Sequence, residues 1–148
     1  MANLSHGLSG VAGEYFVCAE LSRRGYLATL TLKNAEGIDI LMSRPKSGRA
    51  ITIQVKTIQG KKAHWVLNEK HEHHQTPNFF YIFVRLGPLG ERPAFHIVPS
   101  SIVATHISHA HKKWLGGRKK DGSSRKDSAM RGFSDDDNEY QERWELLA

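Results

Sequence analysis

Apolar and polar residues alternate with a period of two through two stretches near the first third of the chain. Ile38, Ile40 and Met42 alternate with Asp39 and Leu41, and Ile51, Ile53 and Val55 alternate with Thr52, Gln54 and Lys56. That period is the signature of a half-buried strand. Between them, Arg44-Pro45-Lys46-Ser47-Gly48 has the chemistry of a turn, because Pro presets φ and Gly tolerates φ > 0. The pattern predicts a β-hairpin over 37–57. A turn centred between Lys46 and Ser47 sets Asp39 opposite Gln54, with Cβ atoms roughly 5 Å apart, and Lys56 at a diagonal of roughly 7–8 Å. An acid, an amide and an ammonium then share one face of the hairpin while the aliphatic residues take the other.

The remaining pattern supplies elements around this hairpin. Residues 8–24 read as a helix with Ser9 as N-cap and Gly25 just past its end. Val11, Tyr15, Cys18 and Leu21 form its apolar stripe, widened by Phe16 and Ala19. Glu14 falls inside that stripe, where a carboxylate needs a partner or a metal unless it snorkels to solvent from the helix edge. Glu20 sits four residues before Arg24, as in an ordinary surface ion pair. Strands are expected at 26–32, 64–67, 79–86 and 94–98, with 33–37 connecting into the hairpin and 58–62 forming a basic turn. The 79–86 run is apolar nearly throughout, as in a strand covered on both faces. Residues 68–78 are polar, irregular or weakly helical, and 87–92 form a turn. Pro99 opens a helix capped by Ser100 or Ser101 and running to about residue 115, with Ile102, Val103, His106, Ile107, Ala110 and Trp114 on its apolar face. Residues 116–132 have the low hydrophobicity of a mobile loop. A closing helix over 134–147 has Ser134 as cap, acids at 135–137 in its first turn, and Tyr140, Trp144 and Leu147 on one side. The sum is an α/β chain with a mixed sheet flanked by helices. It reads as a single domain with its core at about 8–115, a basic loop at 116–133 and a C-terminal helix at 134–147.

Composition narrows the function classes. A length of 148 residues is ample for one core. No apolar run approaches the roughly 18 residues of a membrane span, and the first residues lack the basic and apolar regions of a secretory signal. The single cysteine, Cys18, cannot form an internal disulfide, lies among apolar neighbours and suits a reducing cytoplasm. Charge is unevenly spread: residues 112–131 hold eight Lys and Arg against two Asp, whereas residues 132–148 hold one Arg against six acids. Such a basic segment is either a solvated loop or the footprint of a polyanion, nucleic acid being the usual one. His71, His73 and His74, and separately His106, His109 and His111, lack the i, i+4 pair plus third ligand of a zinc site. There is no glycine-rich phosphate fingerprint and no nucleophile on a recognisable turn for a serine triad.

The order Glu14, Leu21, Gly25, then Gly37-Ile38-Asp39, then Gln54-Val55-Lys56 resembles the PD-(D/E)XK nuclease superfamily, and within it the Holliday-junction-resolvase-like endonucleases. The likeness covers about residues 8–57, with compatible element order to about 113. The ending (Trp114-Leu115, the basic loop, Met130-Arg131-Gly132-Phe133, then Trp144-Glu145-Leu146-Leu147) is similar to a group of small bacterial proteins of this superfamily. The resemblance implies a restriction-endonuclease-like fold and metal-dependent phosphodiester cleavage with DNA favoured over RNA as the substrate, and Glu14, Asp39, Gln54 and Lys56 as the catalytic set. It implies that Asp39, the Gln54 side-chain oxygen and the Val55 carbonyl hold Mg²⁺ or Mn²⁺, with Glu14 completing the site through water or a second metal, and that Lys56 serves the attacking water or the phosphate. A homodimer is a further implication. Phosphate contacts are expected from Lys33, Lys61, Lys62, Lys112, Lys113, Arg118, Lys119 and Lys120. Two departures stand out: Ile38 replaces the usual Pro, and Gln54 replaces the usual acid, removing a negative charge from the metal site. The alternative readings are a nuclease-fold module that binds nucleic acid without cutting it, and a protein-interaction partner that engages an acidic protein through the basic loop.

Overall fold

The computed structural model describes residues 3–32 and 36–148. Ser5 opens the first helix, α1 (His6–Arg23), by accepting the Leu8 N–H on its side chain at 3.2 Å, and Gly25 at φ +83° turns the chain out of it. Strands β1 (Leu27–Leu30), β2 (Ile40–Ser43) and β3 (Ala50–Gln59) follow as an antiparallel meander. The chain then leaves the sheet through β4 (His64–Asn68) and a 3₁₀ turn at Glu69–Glu72, and returns as β5 (Phe79–Leu86), parallel to β3. Strand β6 (Ala94–Pro99) pairs antiparallel with β5 and leads into α2 (Ser100–Leu115). The sheet order is β1-β2-β3-β5-β6. A final strand, β7 (Met130–Ser134), pairs with β4 as a separate two-stranded ribbon, and Trp144–Leu147 forms a closing 3₁₀ turn. No helix among the described residues is long and apolar enough to cross a membrane.

The sheet has a core on each face. Ile40, Met42, Ile51, Ile53, Val55, Phe80, Ile82 and Val84 point to one face, where they meet Val17 and Leu21 of α1 and Trp144 and Leu147 of the C-terminal turn. Phe79, Tyr81 and Phe83 point to the other, under Trp65 and Leu67 of β4, Phe133 of β7, and Val103 and Ile107 of α2. Burial on both faces accounts for the nearly unbroken apolar run of β5. The hairpin register Ile40↔Ile53, Leu41↔Thr52 and Met42↔Ile51 matches the turn-derived expectation.

Three expectations are corrected. First, α1 does not present Val11, Tyr15 and Phe16 to the core. Its buried face runs Ser9, Gly13, Val17, Glu20 and Leu21, while Tyr15 and Phe16 are exposed. Small residues at Ser9 and Gly13 let the helix backbone approach β3 closely, and that approach rotates the bulkier residues outward. Second, no α-helix spans 134–147, where the only helical turn among the described residues is the 3₁₀ turn at Trp144–Leu147. Ser134 ends β7, and Asn138 and Glu142 sit at φ +55° and +58°, in the left-handed region that a helix excludes. Asp135, expected to complement a helix dipole, is instead buried, shares a 2.6 Å hydrogen bond with His96 Nδ1 and accepts the Glu139 and Tyr140 N–H groups. Third, the basic segment carries defined structure, including a small turn in which Lys119 N–H donates to Ser123 O and Arg118 bridges to Ser124.

Glu20 also differs from a surface ion pair. It is buried and binds Arg24 at 2.6 Å, Arg92 at 3.1 Å and Arg23 at 3.3 Å, while Arg92 reaches on to Glu142 at 2.5 Å. The Arg24 guanidinium stacks 4.1 Å from the Trp144 ring centroid. This network ties the end of α1 to the β5–β6 connection and to the C-terminal segment.

Candidate active site

Asp39 lies one residue before β2, where the hairpin ladder ends. Its own N–H donates to Ile53 O at 2.9 Å, one residue out of the register that governs Ile40 onward. Its carboxylate turns toward β3, and Oδ2 accepts the Val55 N–H at 2.7 Å. The side chain thus stands in for the main-chain acceptor that β2 would have supplied had the ladder continued. The N–H and C=O of one strand residue point the same way, so the Val55 carbonyl also faces the gap beside Asp39. Gln54, the preceding residue on β3, is buried, and its Oε1 has no hydrogen-bond partner among the described residues.

Electrostatics couple this end of the hairpin to Lys56. Burial raises the Asp39 pKa above its usual value, against the opposing pulls of the Val55 N–H and the Lys56 charge. Burial lowers the Lys56 pKa; Asp39 opposes that shift and the nearby Lys70 ammonium adds to it. Both groups are pushed toward their neutral forms, a pattern frequent where side chains move protons.

Glu14 follows Gly13 on α1, and Gly13 rests directly on Thr57 of β3. Thr57 shares the Val55 face of β3, so that contact seats α1 on the face opposite to Gln54 and Lys56, one residue along the strand from Lys56. Glu14 is partly buried, and its charge contributes to raising the Cys18 thiol, behind the larger effect of burial. The structure therefore brings Asp39, Gln54, Val55 and Lys56 together on the hairpin and places Glu14 on the helix that packs against the same strand.

The sequence did not single out the cover over this site. His71, in the 3₁₀ turn after β4, is buried, and its Nδ1 shares a 2.8 Å hydrogen bond with the hydroxyl of Tyr81, the register partner of Gln54. Burial lowers the His71 pKa to about 4, helped by the charges of Lys56 and Lys70. Burial likewise raises the Tyr81 hydroxyl pKa. Lys70 pairs with Glu36 at 3.2 Å, and the His74 ring packs against Gly37, two residues before Asp39. The polar segment, expected to be irregular or weakly helical, thus lies across the entry to the hairpin. Only its histidine-rich composition marked it beforehand, and composition carries no information on burial.

Among the described residues no group of three or more His, Cys, Asp and Glu side chains is placed to hold a metal ion. The oxygens of the hairpin form a different donor set: Asp39 Oδ1, free of hydrogen bonds among the described residues, the orphaned Gln54 Oε1, and the Val55 carbonyl. An all-oxygen set with one charge fits a hard cation that retains several waters. Of the expected phosphate contacts, Lys61, Lys62, Lys112, Lys113, Arg118, Lys119 and Lys120 are all exposed. Lys33 lies outside the described residues.

No protein-family model matches the chain, and no curated protein matches it significantly in sequence. Among solved structures, it is similar to a bacterial homing endonuclease, I-Ssp6803I, at 14% identity and a TM-score of 0.56, over 97% of this chain and 91% of the other. It is also similar to Hjc, a Holliday junction resolvase from Archaeoglobus fulgidus, at 10% identity and a TM-score of 0.46, over 84% of this chain and 83% of that one. The chain has the restriction-endonuclease-like fold, a mixed sheet with helices packed on it.

Proposed function

We propose that this nuclease-fold chain is a metal-dependent endonuclease that hydrolyses phosphodiester bonds in DNA. The observation that carries the reading is the pairing of a carboxylate, drawn onto the Val55 N–H, with an unpartnered buried amide oxygen beside a desolvated lysine. Asp39 Oδ1, Gln54 Oε1 and the Val55 carbonyl would hold Mg²⁺ or Mn²⁺. Such a cation offsets charge developing on the phosphate and makes a water easier to ionise. Lys56, with its pKa lowered, takes the proton of the attacking water or, as ammonium, pairs with a phosphate oxygen. Glu14 orients a further water at the edge of the site. Gln54 brings no charge, so a cation there depends more on the phosphate itself than it would in a two-carboxylate site. The exposed basic residues would hold the rest of the DNA.

The test is cleavage of duplex, branched and single-stranded DNA and of RNA by the purified protein in Mg²⁺ or Mn²⁺. Wild type is expected to cut DNA and Asp39→Ala to lose at least about a hundredfold in rate. Equal behaviour of the two on every substrate would refute the catalytic reading. The second reading, a module that binds without cutting, rests on the missing acid at Gln54. It predicts no specific heat of Mg²⁺ or Mn²⁺ binding by titration calorimetry, and salt-dependent DNA binding indifferent to Asp39→Ala and Lys56→Ala.

A further inference from the structure

Beyond Lys56 the same face of the sheet leads to a second polar site. Lys56 pairs in register with Phe83 and Ile58 with Arg85. Arg85 therefore leaves the face that Lys56 does, one strand across and two residues further on, roughly 8 Å away at Cα by strand geometry. Phe83 and Trp65, with ring centroids 5.0 Å apart, fill the face at this point. Arg85 lines an open cleft of about 670 Å³ together with Lys61 and Lys62 of the β3–β4 turn, His64 at the start of β4, and Ser134 and Asp136 at the end of β7. His64 Nδ1 and Ser134 Oγ are 2.7 Å apart, which fixes the mouth of the ribbon.

The guanidinium of Arg85 is the anomaly. The residue is half-buried, its Nε is closed to solvent without a hydrogen-bond partner, and no carboxylate of the described residues pairs with it. Among the described residues, the acids and arginines that are fully buried each have an answering charge: Glu20 three arginines, Arg131 Glu72 at 2.5 Å, and Asp135 His96. A guanidinium cannot shed its proton, so holding one half-desolvated without an anion is costly and calls for a reason. A ligand anion is such a reason, and the planar fork of Arg suits a phosphate. Lys61 and Lys62 add two cations at the same cleft against the single Asp136.

We infer that this cleft anchors a backbone phosphate of bound nucleic acid, apart from the cleavage site, with Arg85 as its central contact. The anchor rests on the proposed nucleic-acid partner but not on cleavage. A nucleic-acid strand rises about 3.4 Å per nucleotide along its axis, so an offset of roughly 8 Å lies within the reach of one polyanion.

The experiment is fluorescence anisotropy of labelled duplex and single-stranded DNA across a salt series, with wild type, Arg85→Met, Arg85→Lys and Asp136→Asn. Arg85→Met is expected to weaken binding about tenfold regardless of sequence and to lower the salt slope by about one. Its melting temperature should equal or exceed that of wild type, because an unpaired charge is replaced by an apolar side chain. Arg85→Lys should recover part of the affinity, and Asp136→Asn should bind more tightly than wild type. Wild-type affinity and slope in Arg85→Met would overturn the anchor, as would unchanged affinity in Asp136→Asn, a surface change that tests the cleft even if Arg85→Met fails to fold. Tighter binding of poly-glutamate than of DNA would overturn it in favour of an acidic protein partner. Weakened binding by Arg85→Met in a protein that never cuts would sink the nuclease reading and keep the anchor. Cleavage abolished by Asp39→Ala with normal binding by Arg85→Met would do the reverse.

Discussion

Gly13→Ala tests the contact that seats α1 on the sheet, and its sign is diagnostic. In a helix interior, replacing Gly by Ala normally stabilises by about 1 kcal/mol. At Gly10 a new Cβ meets nothing within 4 Å, so Gly10→Ala should show that gain. At Gly13 the new Cβ would overlap Thr57 Oγ1 and lie 3.0 Å from Thr57 Cβ and 3.1 Å from Cγ2. Rotating the threonine clears the hydroxyl but leaves the Cβ contact tight, so the helix must also lift. Overpacking of this kind costs up to about 3 kcal/mol; set against the propensity gain, Gly13→Ala should be destabilised by about 2 kcal/mol. For a chain of this length that is a fall of about 4–8 °C in melting temperature, while Gly10→Ala should rise by about 2–4 °C. Thr57 Oγ1 is itself buried without a hydrogen-bond partner among the described residues, so Thr57→Ala should be near neutral, and on that background Gly13→Ala should recover at least half its loss. Urea denaturation of the four variants with a double-mutant cycle gives the coupling directly. A Gly13→Ala protein as stable as Gly10→Ala would show that the helix does not sit on β3 as described, and would remove the support placing Glu14 by the hairpin.

The Lys56 pKa is lowered by burial; if Lys56 acts as a base, cleavage should rise with pH to a plateau reached below the ordinary lysine range, whereas a fall in rate over the same interval would mean that only the ammonium form works. Glu20 has a lowered pKa because, although burial alone would raise it, the bonds and charges of Arg24 and Arg92 outweigh burial. Its contribution to stability is therefore present above the ordinary glutamate pKa and lost as pH falls through the lowered one; Glu20→Gln should cost about 1–3 kcal/mol at neutral pH and flatten the acid limb of the stability curve, and an unaltered acid limb would contradict that. Asn138, at φ +55°, should tolerate Gly without loss, while Asn138→Val costs about 1–2 kcal/mol in denaturation experiments; equal stability of the two variants would rule out the left-handed turn after β7.

The hairpin and strand β5 were legible because their information is local. Alternation in Ile51, Ile53 and Val55 against Thr52, Gln54 and Lys56 sets the faces, and the five-residue turn sets the register, so Ile40 meets Ile53 as expected. The candidate site was legible to the same extent: Asp39, Gln54 and Lys56 fall on one face by parity alone. The first helix was legible in existence but not in orientation. Hydrophobic periodicity favours Tyr15 and Phe16, whereas packing favours the smallest residues where two backbones meet, and nothing in a single sequence reveals that Thr57 waits opposite Gly13.

The C-terminal third shows the limit most clearly. Residues 134–147 carry the cap, acids and apolar spacing of a helix, yet β4 recruits 130–134 as a strand from some sixty residues away, burying Phe133 against Trp65 and Phe83. Asp135 then trades a helix N-terminus for His96, inside the second core. What the sequence determined by itself is whatever depends on neighbours a few residues apart: strand faces, turn register, helix ends at Gly25 and Pro99, and the chemical identities gathered on the hairpin. What only the tertiary structure decided is which surfaces meet. The ribbon over the sheet, the cover of His71 and Lys70 across the site, and the unanswered charge of Arg85 all arise from long-range contacts, whose energies exceed local propensity and leave no periodic trace in the chain.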